Sequence, residues 1–416
     1  MTAIATNVLD TLRERGFLNQ VSDEAGLRRV TDAGPITLYC GFDVTSDSLH
    51  IGNLVQLMLL SHFQKHGHRV IALAGGGTTM VGDPTGRATG RAMMTMAQIA
   101  ANSAKIQEQM AHYLDFTDGR AIMRDNADWL PTLHYIAFLR DIGRYFSVNE
   151  MLHMDTYKTR LETGLSFLEF NYLLLQSYDF LHLYRTEGCV LQVGGGDQWS
   201  NCLGGMDLIR KADGGEAFVL TAPLITDASG QKMGKSTGNG ISLNAAAMSP
   251  YDYYQFWINV EDAKVAEFLG LFTYLPMDEV RRLAALEGAD IRRAKEVLAW
   301  EATVLTHGEA EAEKARDAAH ALFSGGAGAG GADVPTVTIP TVDFDAGLSL
   351  ADIFVRAGLA TGRGDARRKA AQGGMYLGAH GERVGDMDLA ILPADFPADG
   401  LLLRAGKKHY MRVVVE

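Results

Sequence analysis

Two short polar motifs in this sequence have residue types that suit the binding of a phosphate. The first runs from His50 to Asn53 and follows a stretch, Thr37 to Phe42, with the β-branched and aromatic residues of a strand. Apolar residues recur at helical spacing from Leu49 to Phe63, so the motif stands where a strand leads into a helix. The unpaired N–H groups of a helix start favour an anion, and His50 and Asn53 can both donate hydrogen bonds to it.

The residues beside this motif support the same interpretation. Asp47 and Ser48 are common capping types, which predicts that the residues from His50 onward lie in the first helical turn. Gly52 carries no side chain and lets a ligand approach the backbone. Taken alone, an ordinary helix start with an exposed histidine explains the motif equally well.

The second motif runs from Lys232 to Ser236, within a polar stretch from Thr226 to Asn244 that is typical of a mobile loop. Lys232 and Lys235 can place two point charges on a triphosphate, and a loop can bring them in after the nucleotide binds. A solvent-exposed basic turn is the alternative for this motif alone. The two motifs together favour a nucleotide site.

Both motifs resemble the signatures of the class I aminoacyl-tRNA synthetases, written His-Ile-Gly-His and Lys-Met-Ser-Lys-Ser. The residues between them resemble the bacterial tyrosyl-tRNA synthetases, and the resemblance covers nearly the whole chain. Two positions depart from the signatures, because Asn53 replaces the second histidine and Gly234 replaces the first serine. An Asn amide donates to a phosphate oxygen as an imidazole does, whereas proton transfer at position 53 is excluded.

The composition indicates an ordinary globular protein of about three domains. The 416 residues are 47% hydrophobic and 21% charged, with a formal net charge of −12 that argues against wholesale coating of nucleic acid. A signal peptide and a membrane span are not indicated, so we expect a cytoplasmic location without a membrane partner. Cys40, Cys189 and Cys202 show no Cys-x-x-Cys spacing, so we expect neither a disulfide framework nor a metal site.

The pattern after the first helix predicts a parallel sheet. Val70 to Ala74 reads as a buried strand followed by a glycine-rich loop, Gly75 to Gly86, and Cys189 to Val193 as a strand followed by Gly194 to Trp199. Loops at the carboxyl ends of parallel strands form the ligand crevice. The glycines match neither G-x-G-x-x-G nor a P-loop, which disfavours a dehydrogenase and a P-loop NTPase.

The sequence and the resemblance together predict an α/β fold with a Rossmann-like parallel-sheet catalytic domain. The expected segments are the catalytic domain at 1–225, a mobile lysine loop at 226–245, an α-helical anticodon-binding domain at 246–323, a Gly/Ala-rich linker at 324–345 and a small α+β S4-like RNA-binding domain at 346–416. The last segment holds 10 Lys and Arg against 8 Asp and Glu, so it is the relatively basic part of the chain.

The resemblance also implies roles for single residues. The catalytic residues would be Thr45, His50, Asn53, Lys232 and Lys235, with Arg87 and Arg91 as weaker candidates. The tyrosine phenol would be bound by Tyr39 and Asp179, and the α-ammonium group by Asp83, Tyr172 and Gln176. ATP would be bound by Cys40, Gly41, Asp43, His50, Gly52, Asn53, Gly195, Asp197, Gln198 and Lys235. RNA would be bound by Arg363, Arg367, Arg368 and Lys369.

Three of the tyrosine-binding candidates have support from spacing as well. Tyr172, Gln176 and Asp179 fall close to one face of a predicted helix, although a satisfied polar patch inside the protein would show the same pattern. The implied reaction is the activation of L-tyrosine by ATP with Mg²⁺, followed by transfer to tRNA(Tyr), in a homodimer. The alternatives are a tryptophan enzyme or another adenylating enzyme of the same fold, and an RNA-binding protein that has lost catalysis.

Overall fold

A computed structural model of the chain describes residues 7–85, 94–231, 233, 241–323, 336–378, 382–397, 400–406 and 409–416. The chain divides into two compact units. The first comprises Met1–Met248 and Trp257–Thr306, and the second comprises Ser249–Phe256 and His307–Glu416. The boundaries of the five segments that the sequence predicts stay predictions.

The first unit contains a six-stranded sheet. Its strands are β1 (Gln20–Val21), β2 (Thr37–Phe42), β3 (Arg69–Ala74), β4 (Ala121–Asp125), β5 (Cys189–Gly195) and β6 (Phe218–Ala222). Their order across the sheet is β1-β6-β5-β2-β3-β4, and all neighbours are parallel except β1, which pairs antiparallel with β6. The chain passes from β2 to β3 on one side, while β5 lies on the other side of β2. The crevice for a ligand is therefore expected outside the ends of β2 and β5.

The helices up to the end of the sheet region are α1 (Val8–Arg15), α2 (Glu24–Ala33), α3 (Ile51–Lys65), α4 (Gly76–Thr79), α5 (Met96–Met110), α6 (Tyr135–Asp141), α7 (Val148–Leu152), α8 (Asp155–Thr163), α9 (Phe167–Phe170), α10 (Tyr172–Glu187) and α11 (Trp199–Asp213). Of these, α3, α10 and α11 pack against strands of the sheet. From Val70 to Ala74 the strand β3 is apolar and buried on both faces, as is usual for a central parallel strand. A helical region follows, with α12 (Pro250–Ile258), α13 (Asp262–Phe272), α14 (Met277–Ala284), α15 (Ile291–His307) and α16 (Glu309–Phe323).

The end of the chain forms a small α+β module within the second unit. Its elements are β7 (Thr336–Ile339), α17 (Leu350–Arg356), α18 (Arg363–Ala371), β8 (Met375–Leu377), β9 (Glu382–Arg383), β10 (Leu401–Ala405) and β11 (His409–Val415). The strand order is β7-β11-β10-β8-β9. Ile353 and Phe354 on α17 join Met375, Leu403 and Val413 of the sheet in one buried core.

The predicted α/β fold with a parallel sheet is confirmed, and two local predictions are wrong. The stretch from Gly75 to Gly86 is not all loop, because α4 forms within it. The first long helix starts at Ile51 with His50 as its cap, not with Asp47 or Ser48. Among the helices of the described segments, none combines the length and the apolar character needed to span a membrane.

Candidate active site

A cavity of about 470 Å³ lies where the sheet elements end in polar loops, and the candidate residues meet there. Its walls come from the ends of β2 and β5, the start of α3 and the inner face of α10. The predicted catalytic, tyrosine-binding and ATP-binding residues that line it are Tyr39, Cys40, Gly41, Asp43, Thr45, His50, Gly52, Asn53, Asp83, Tyr172, Gln176, Asp179, Gly195, Asp197 and Gln198. The structure therefore brings together side chains that are far apart in the sequence.

Lys232 and Lys235 lie outside the described residues, as do Arg87 and Arg91. Met233, which lies between the two lysines in the sequence, lines the cavity. The second motif thus reaches the cavity at this one described residue.

Tyr39 and Asp179 form a buried polar pair of functional groups in the cavity wall. Tyr39 is 1% exposed and Asp179 is 2% exposed. The Tyr39 hydroxyl is buried and has no hydrogen-bond partner among the described residues, an arrangement that costs about 1–3 kcal/mol unless a ligand supplies the partner. Burial raises the pKa of Asp179 to about 7. A ligand hydroxyl that bonds to both groups would remove the cost.

Two residues that the sequence analysis missed hold Asp179 in place. Asn126 donates from Nδ2 to Oδ2 of Asp179 over 2.8 Å, and Trp129 donates from Nε1 to Oδ1 over 2.8 Å. The Asn126 Oδ1 accepts from the Gly77 N–H at 2.7 Å, so the same side chain also ties down α4. Asn126 directly follows β4, so the rule that ligand loops follow parallel strands could have identified it.

Three further residues that line the cavity, Asp83, Gln176 and Gln192, carry hydrogen-bond acceptors. The carboxylate of Asp83 accepts from Nε2 of Gln198 at 2.9 Å and from the Thr85 N–H at 2.9 Å. The Oε1 atoms of Gln176 and Gln192 are buried without a donor in the described structure. An ammonium group has three N–H donors and no acceptor, so it complements this set of oxygens. Gln192 is a further residue that the sequence analysis missed.

Asn201 fixes the orientation of Gln198. Its Nδ2 donates to Oε1 of Gln198 at 3.0 Å and to the Thr85 hydroxyl at 3.2 Å. Its Oδ1 accepts from the Thr156 hydroxyl at 2.9 Å. Because Oε1 of Gln198 is used by Asn201, the Nε2 end of the same amide must face Asp83. Asn201 is fully buried, and no motif in the sequence marks it.

The cap of α3 sets the hydrogen-bonding character of His50. The Nδ1 atom accepts from the Gly52 N–H at 3.0 Å, so in the neutral ring the proton resides on Nε2. The Oδ1 atom of Asn53 accepts from the His50 N–H at 3.1 Å, which leaves the Asn53 amide N–H groups as donors. Both side chains line the cavity at the positive end of a helix of 15 residues. The arrangement is suited to an anionic group.

The backbone approaches the cavity closely at Gly195 on the opposite wall. A Cβ at this position would lie 3.0 Å from Oδ1 of Asp197, so any side chain would crowd the neighbouring carboxylate. The Gln56 amide spans the two walls, since its Nε2 donates to the Gly52 carbonyl and its Oε1 accepts from the Gly195 N–H at 3.2 Å. Gln56 is another cavity residue that the sequence analysis missed.

Cys40 also lines the cavity. Burial raises the pKa of its thiol to about 12, so this thiol is neutral.

The four basic residues predicted to bind RNA lie on or at the start of α18, and each is paired with a carboxylate. Arg363 contacts Asp352 at 2.5 Å and Arg367 contacts Asp388 at 2.5 Å. Arg368 and Lys369 both contact Asp365, at 2.5 and 2.9 Å. All four side chains are at least partly exposed, so a phosphate can compete for them.

Comparison with known proteins adds to this geometry. The sequence profile of a family described as tRNA synthetases class I (W and Y) matches residues 31–324. The tyrosine–tRNA ligase of Lachnoclostridium phytofermentans is 50% identical over 408 residues, which are 98% of this chain and 98% of the relative. The tyrosine–tRNA ligase of Clostridium tetani is 48% identical over 413 residues, which are 99% of this chain and 100% of the relative.

Solved structures give the same result. A C-terminally truncated mitochondrial tyrosyl-tRNA synthetase of Aspergillus nidulans matches with a TM-score of 0.69 and 30% identity, over 76% of this chain and 94% of that one. The tyrosyl-tRNA synthetase of Archaeoglobus fulgidus, complexed with L-tyrosine, matches with a TM-score of 0.58 and 18% identity, over 74% and 99%, and supports the fold. The chain belongs to the class I tRNA synthetases, in the tryptophan and tyrosine family.

Proposed function

We propose that this protein activates L-tyrosine with ATP to tyrosyl-adenylate and pyrophosphate, and then transfers the tyrosyl group to the 3′ end of tRNA(Tyr). The curated relatives that match over nearly their whole length are tyrosine–tRNA ligases. The observation that supports tyrosine as the substrate is the buried pair in the cavity wall. This pair consists of the Tyr39 hydroxyl, which has no partner among the described residues, and the carboxylate of Asp179.

The first step is attack of the tyrosine carboxylate on the α-phosphorus of ATP. A carboxylate needs no general base, so catalysis rests on positioning and on donors that strengthen as negative charge grows on the phosphate oxygens. Nε2–H of His50, Thr45, the amide of Asn53 and the lysines Lys232 and Lys235 are the proposed donors. The loss of one such donor costs about 2.7–4 kcal/mol of transition-state stabilisation.

Selection of tyrosine follows from the buried pair. The phenolic hydroxyl would donate to Asp179 and accept from the Tyr39 hydroxyl, so the Tyr39 hydroxyl gains a partner only when the phenolic hydroxyl is present. Phenylalanine would leave the buried Tyr39 hydroxyl unpaired, and sites that hydrogen-bond a substrate hydroxyl discriminate by a factor on the order of 10⁵. The α-ammonium group would be bound by Asp83, Tyr172 and Gln176.

ATP would lie between the start of α3 and the end of β5. Its ribose would approach Gly195, and its phosphates would lie at the N-terminus of α3. The proposed contacts are Cys40, Gly41, Asp43, His50, Gly52, Asn53, Gly195, Asp197, Gln198 and Lys235. Among the described residues there is no cluster of three or more metal-binding side chains, so Mg²⁺ would arrive with ATP and be held mainly by phosphates and water.

The C-terminal module would hold the tRNA. Phosphate groups would compete with the carboxylates now paired with Arg363, Arg367, Arg368 and Lys369, and this competition makes the interaction dependent on salt. The helical region before the linker would contact the anticodon arm. We place the protein in the cytoplasm, where its tRNA substrate is found.

The active form would be a homodimer. Six large apolar side chains between residues 135 and 168 of the first unit are exposed: Tyr135, Ile136, Val148, Leu161, Phe167 and Leu168. A concentration of exposed apolar residues is characteristic of a surface that a protein partner covers. Enzymes of the family that this chain resembles act as homodimers, so the proposed partner is a second copy of the chain.

The test is amino-acid-dependent exchange of pyrophosphate into ATP. We expect strong exchange with tyrosine and none above background with phenylalanine or tryptophan, followed by charging of tRNA(Tyr). Exchange with tryptophan in place of tyrosine would identify the sibling enzyme. No exchange with any amino acid, from a folded protein, would identify an RNA-binding protein without catalysis.

A further inference from the structure

Asp83 belongs to a closed ring of hydrogen bonds in the cavity wall. Its Oδ1 accepts from the Thr85 N–H and its Oδ2 accepts from Nε2 of Gln198, both at 2.9 Å. Asn201 closes the ring, because its Nδ2 donates to Oε1 of Gln198 at 3.0 Å and to the Thr85 hydroxyl at 3.2 Å. Both carboxylate oxygens of Asp83 therefore have a fixed direction, and each has a lone pair left for a ligand donor.

The ring has one favourable orientation. A carboxylate only accepts hydrogen bonds, so Gln198 must turn its Nε2 toward Asp83, and Oε1 at the other side of the amide then needs a donor. Nδ2 of Asn201 is that donor, while Oδ1 of Asn201 accepts from the Thr156 hydroxyl at 2.9 Å. If the Gln198 amide turned over, its Oε1 would face the Asp83 carboxylate, acceptor against acceptor. Asn201 therefore stabilises the orientation that holds Asp83.

Asn201 acts from behind the cavity wall. The other three members of the ring, Asp83, Thr85 and Gln198, line the cavity. Asn201 lies in the first turn of α11 and does not line it. Asn201 is fully buried and Thr156 is 3% exposed, so water does not compete for the hydrogen bond between them. An effect of Asn201 on a ligand must therefore pass through the ring.

We propose that Asn201 is a positioning residue for the amino acid, which rests on the proposed function: through Gln198 it holds Asp83 in the direction that receives the α-ammonium group. Asp83 is the charged member of the three proposed ammonium ligands, and charge-assisted hydrogen bonds are about twice as strong as neutral ones. Such bonds weaken steeply when the donor and the acceptor are misaligned. The direction of the Asp83 carboxylate is therefore the part of ammonium binding that depends on Asn201.

Asn201→Asp tests this role with almost no change in size. It replaces Nδ2 by an acceptor oxygen, so Gln198 should turn its Nε2 toward position 201 and its Oε1 toward Asp83. We expect the dissociation constant for tyrosine, measured by NMR titration, to rise about 10-fold, because the ammonium group then meets a displaced carboxylate.

Two phenols that differ in the ammonium group separate this role from a general loss of structure. Tyramine carries the ammonium group, and 4-ethylphenol has the same ring and carbon chain without it. For Asn201→Asp we expect the dissociation constant of tyramine to rise about 10-fold and that of 4-ethylphenol to stay within about twofold of wild type. A distortion of the whole cavity would weaken both ligands to the same extent.

A double-mutant cycle tests whether Gln198 transmits the effect. Gln198→Met keeps the length of the side chain but lacks the amide, so in this background Asn201→Asp should change the dissociation constant of tyramine by less than about twofold. Asn7→Asp is the matched control, because Nδ2 of Asn7 also donates to a hydroxyl and a carboxylate, those of Thr31 and Asp32. Asn7 does not line the cavity, so the affinity of this variant for tyramine should equal that of wild type.

Thermal unfolding shows whether each variant is folded at the assay temperature. If Asn201→Asp does not fold, Thr156→Val provides a second test, since it removes the donor to Oδ1 of Asn201 at constant size and frees the Asn201 amide to turn over. It should weaken the binding of tyramine about threefold and leave that of 4-ethylphenol unchanged.

Three results would overturn the proposal: an unchanged affinity for tyramine in the folded variants, an equal loss for tyramine and 4-ethylphenol, or an equal loss for tyramine in the wild-type and Gln198→Met backgrounds. Pyrophosphate exchange by the wild type tests the proposed function. The ratio between the two phenols needs binding alone, so the proposed function and the positioning role fail separately.

Discussion

The indole Nε1 of Trp129 donates a hydrogen bond of 2.8 Å to Oδ1 of Asp179. The other carboxylate oxygen is held by Asn126, so both oxygens of this buried group have a fixed direction. His182 stacks against the indole of Trp129, with ring centroids 4.3 Å apart, and steadies the donor. The carboxylate that would receive the tyrosine phenol is therefore positioned before any ligand arrives.

Substitution of Trp129 by phenylalanine tests this positioning. The variant keeps an aromatic ring beside His182 but removes the indole N–H, so Asp179 loses one of two donors. Hydrogen bonds to charged groups contribute about 1.5–3 kcal/mol, and we expect the dissociation constant for tyrosine to rise at least about 10-fold. Equilibrium dialysis measures it, with ATP affinity as the internal control. A tyrosine affinity equal to that of wild type would contradict the role given to Trp129.

The buried carboxylate of Asp179 predicts a dependence of stability on pH. Burial raises its pKa from 3.8 to about 7, so between these values the folded protein keeps a proton that the unfolded chain has lost. The contribution of this group to the free energy of unfolding is therefore present below pH 4 and is lost as the pH rises to about 7, by a few kcal/mol. Proteins tolerate such a loss of stability at a binding site, where the group is needed for function.

The comparison with Asp179→Asn isolates this effect. Burial lowers the pKa of His62 to about 3 and that of His68 to about 4. Because the unfolded chain protonates these histidines more readily, their contribution to the free energy of unfolding increases as the pH rises through the same range. The two contributions have opposite signs in the wild type. We expect the melting temperature of Asp179→Asn, relative to wild type and without tyrosine, to increase from pH 5 to pH 8. A constant difference would show that Asp179 is ionised throughout.

Much of this site could be predicted because it follows the sheet. The strand predicted at Thr37 to Phe42 has the bounds of β2, and the loops after β2 and β5 line one cavity. Apolar runs and glycine content are local signals that predict strands and loops. The rule that ligands bind at the carboxyl ends of parallel strands then predicts where the cavity lies. Tyr172, Gln176 and Asp179 face the same cavity because their spacing matches one face of α10.

The place of Asn126 after β4 could be predicted, but its hydrogen bond to Asp179 and the role of Asn201 could not, because these depend on contacts across long stretches of sequence. Asn126 is 53 residues from Asp179 and Asn201 is 116 residues from Thr85. Neither residue belongs to a motif. The cap of α3 was predicted wrongly for a different reason, since aspartate and serine are better caps than histidine in general, yet His50 takes that position here.

The substitution His50→Asn separates catalysis from helix capping. Asparagine is a good N-cap whose Oδ1 can accept from the Gly52 N–H, so α3 keeps its cap, but the Nε2–H donor is lost. We expect kcat for pyrophosphate exchange to fall about 10²–10³-fold, with tyrosine affinity and the melting temperature close to wild type. His50→Ala, which removes both functions, should also lower the melting temperature. Exchange at the wild-type rate in His50→Asn would remove His50 from the catalytic residues.

The substitution Tyr39→Phe tests the choice between tyrosine and phenylalanine. Removal of a buried hydroxyl without a partner leaves no new unsatisfied group, so the free protein should be as stable as wild type or more stable. The ratio of kcat/KM for tyrosine to that for phenylalanine should fall about 10-fold, since one of two hydrogen bonds to the phenol is lost. A ratio that does not change would place the phenol elsewhere in the cavity.

The exposed apolar residues of the first unit predict the oligomeric state. Ile136 is 75% exposed, and a glutamate at this position would bury a charge if a second copy covers the surface. We expect the wild type to elute as a dimer in size-exclusion chromatography with light scattering, and Ile136→Glu as a monomer. Leu392→Glu is the matched control, because Leu392 is 59% exposed in the C-terminal module, outside the proposed interface, and should leave the dimer intact. A dimer that persists at low micromolar concentration in Ile136→Glu would place the interface on another surface.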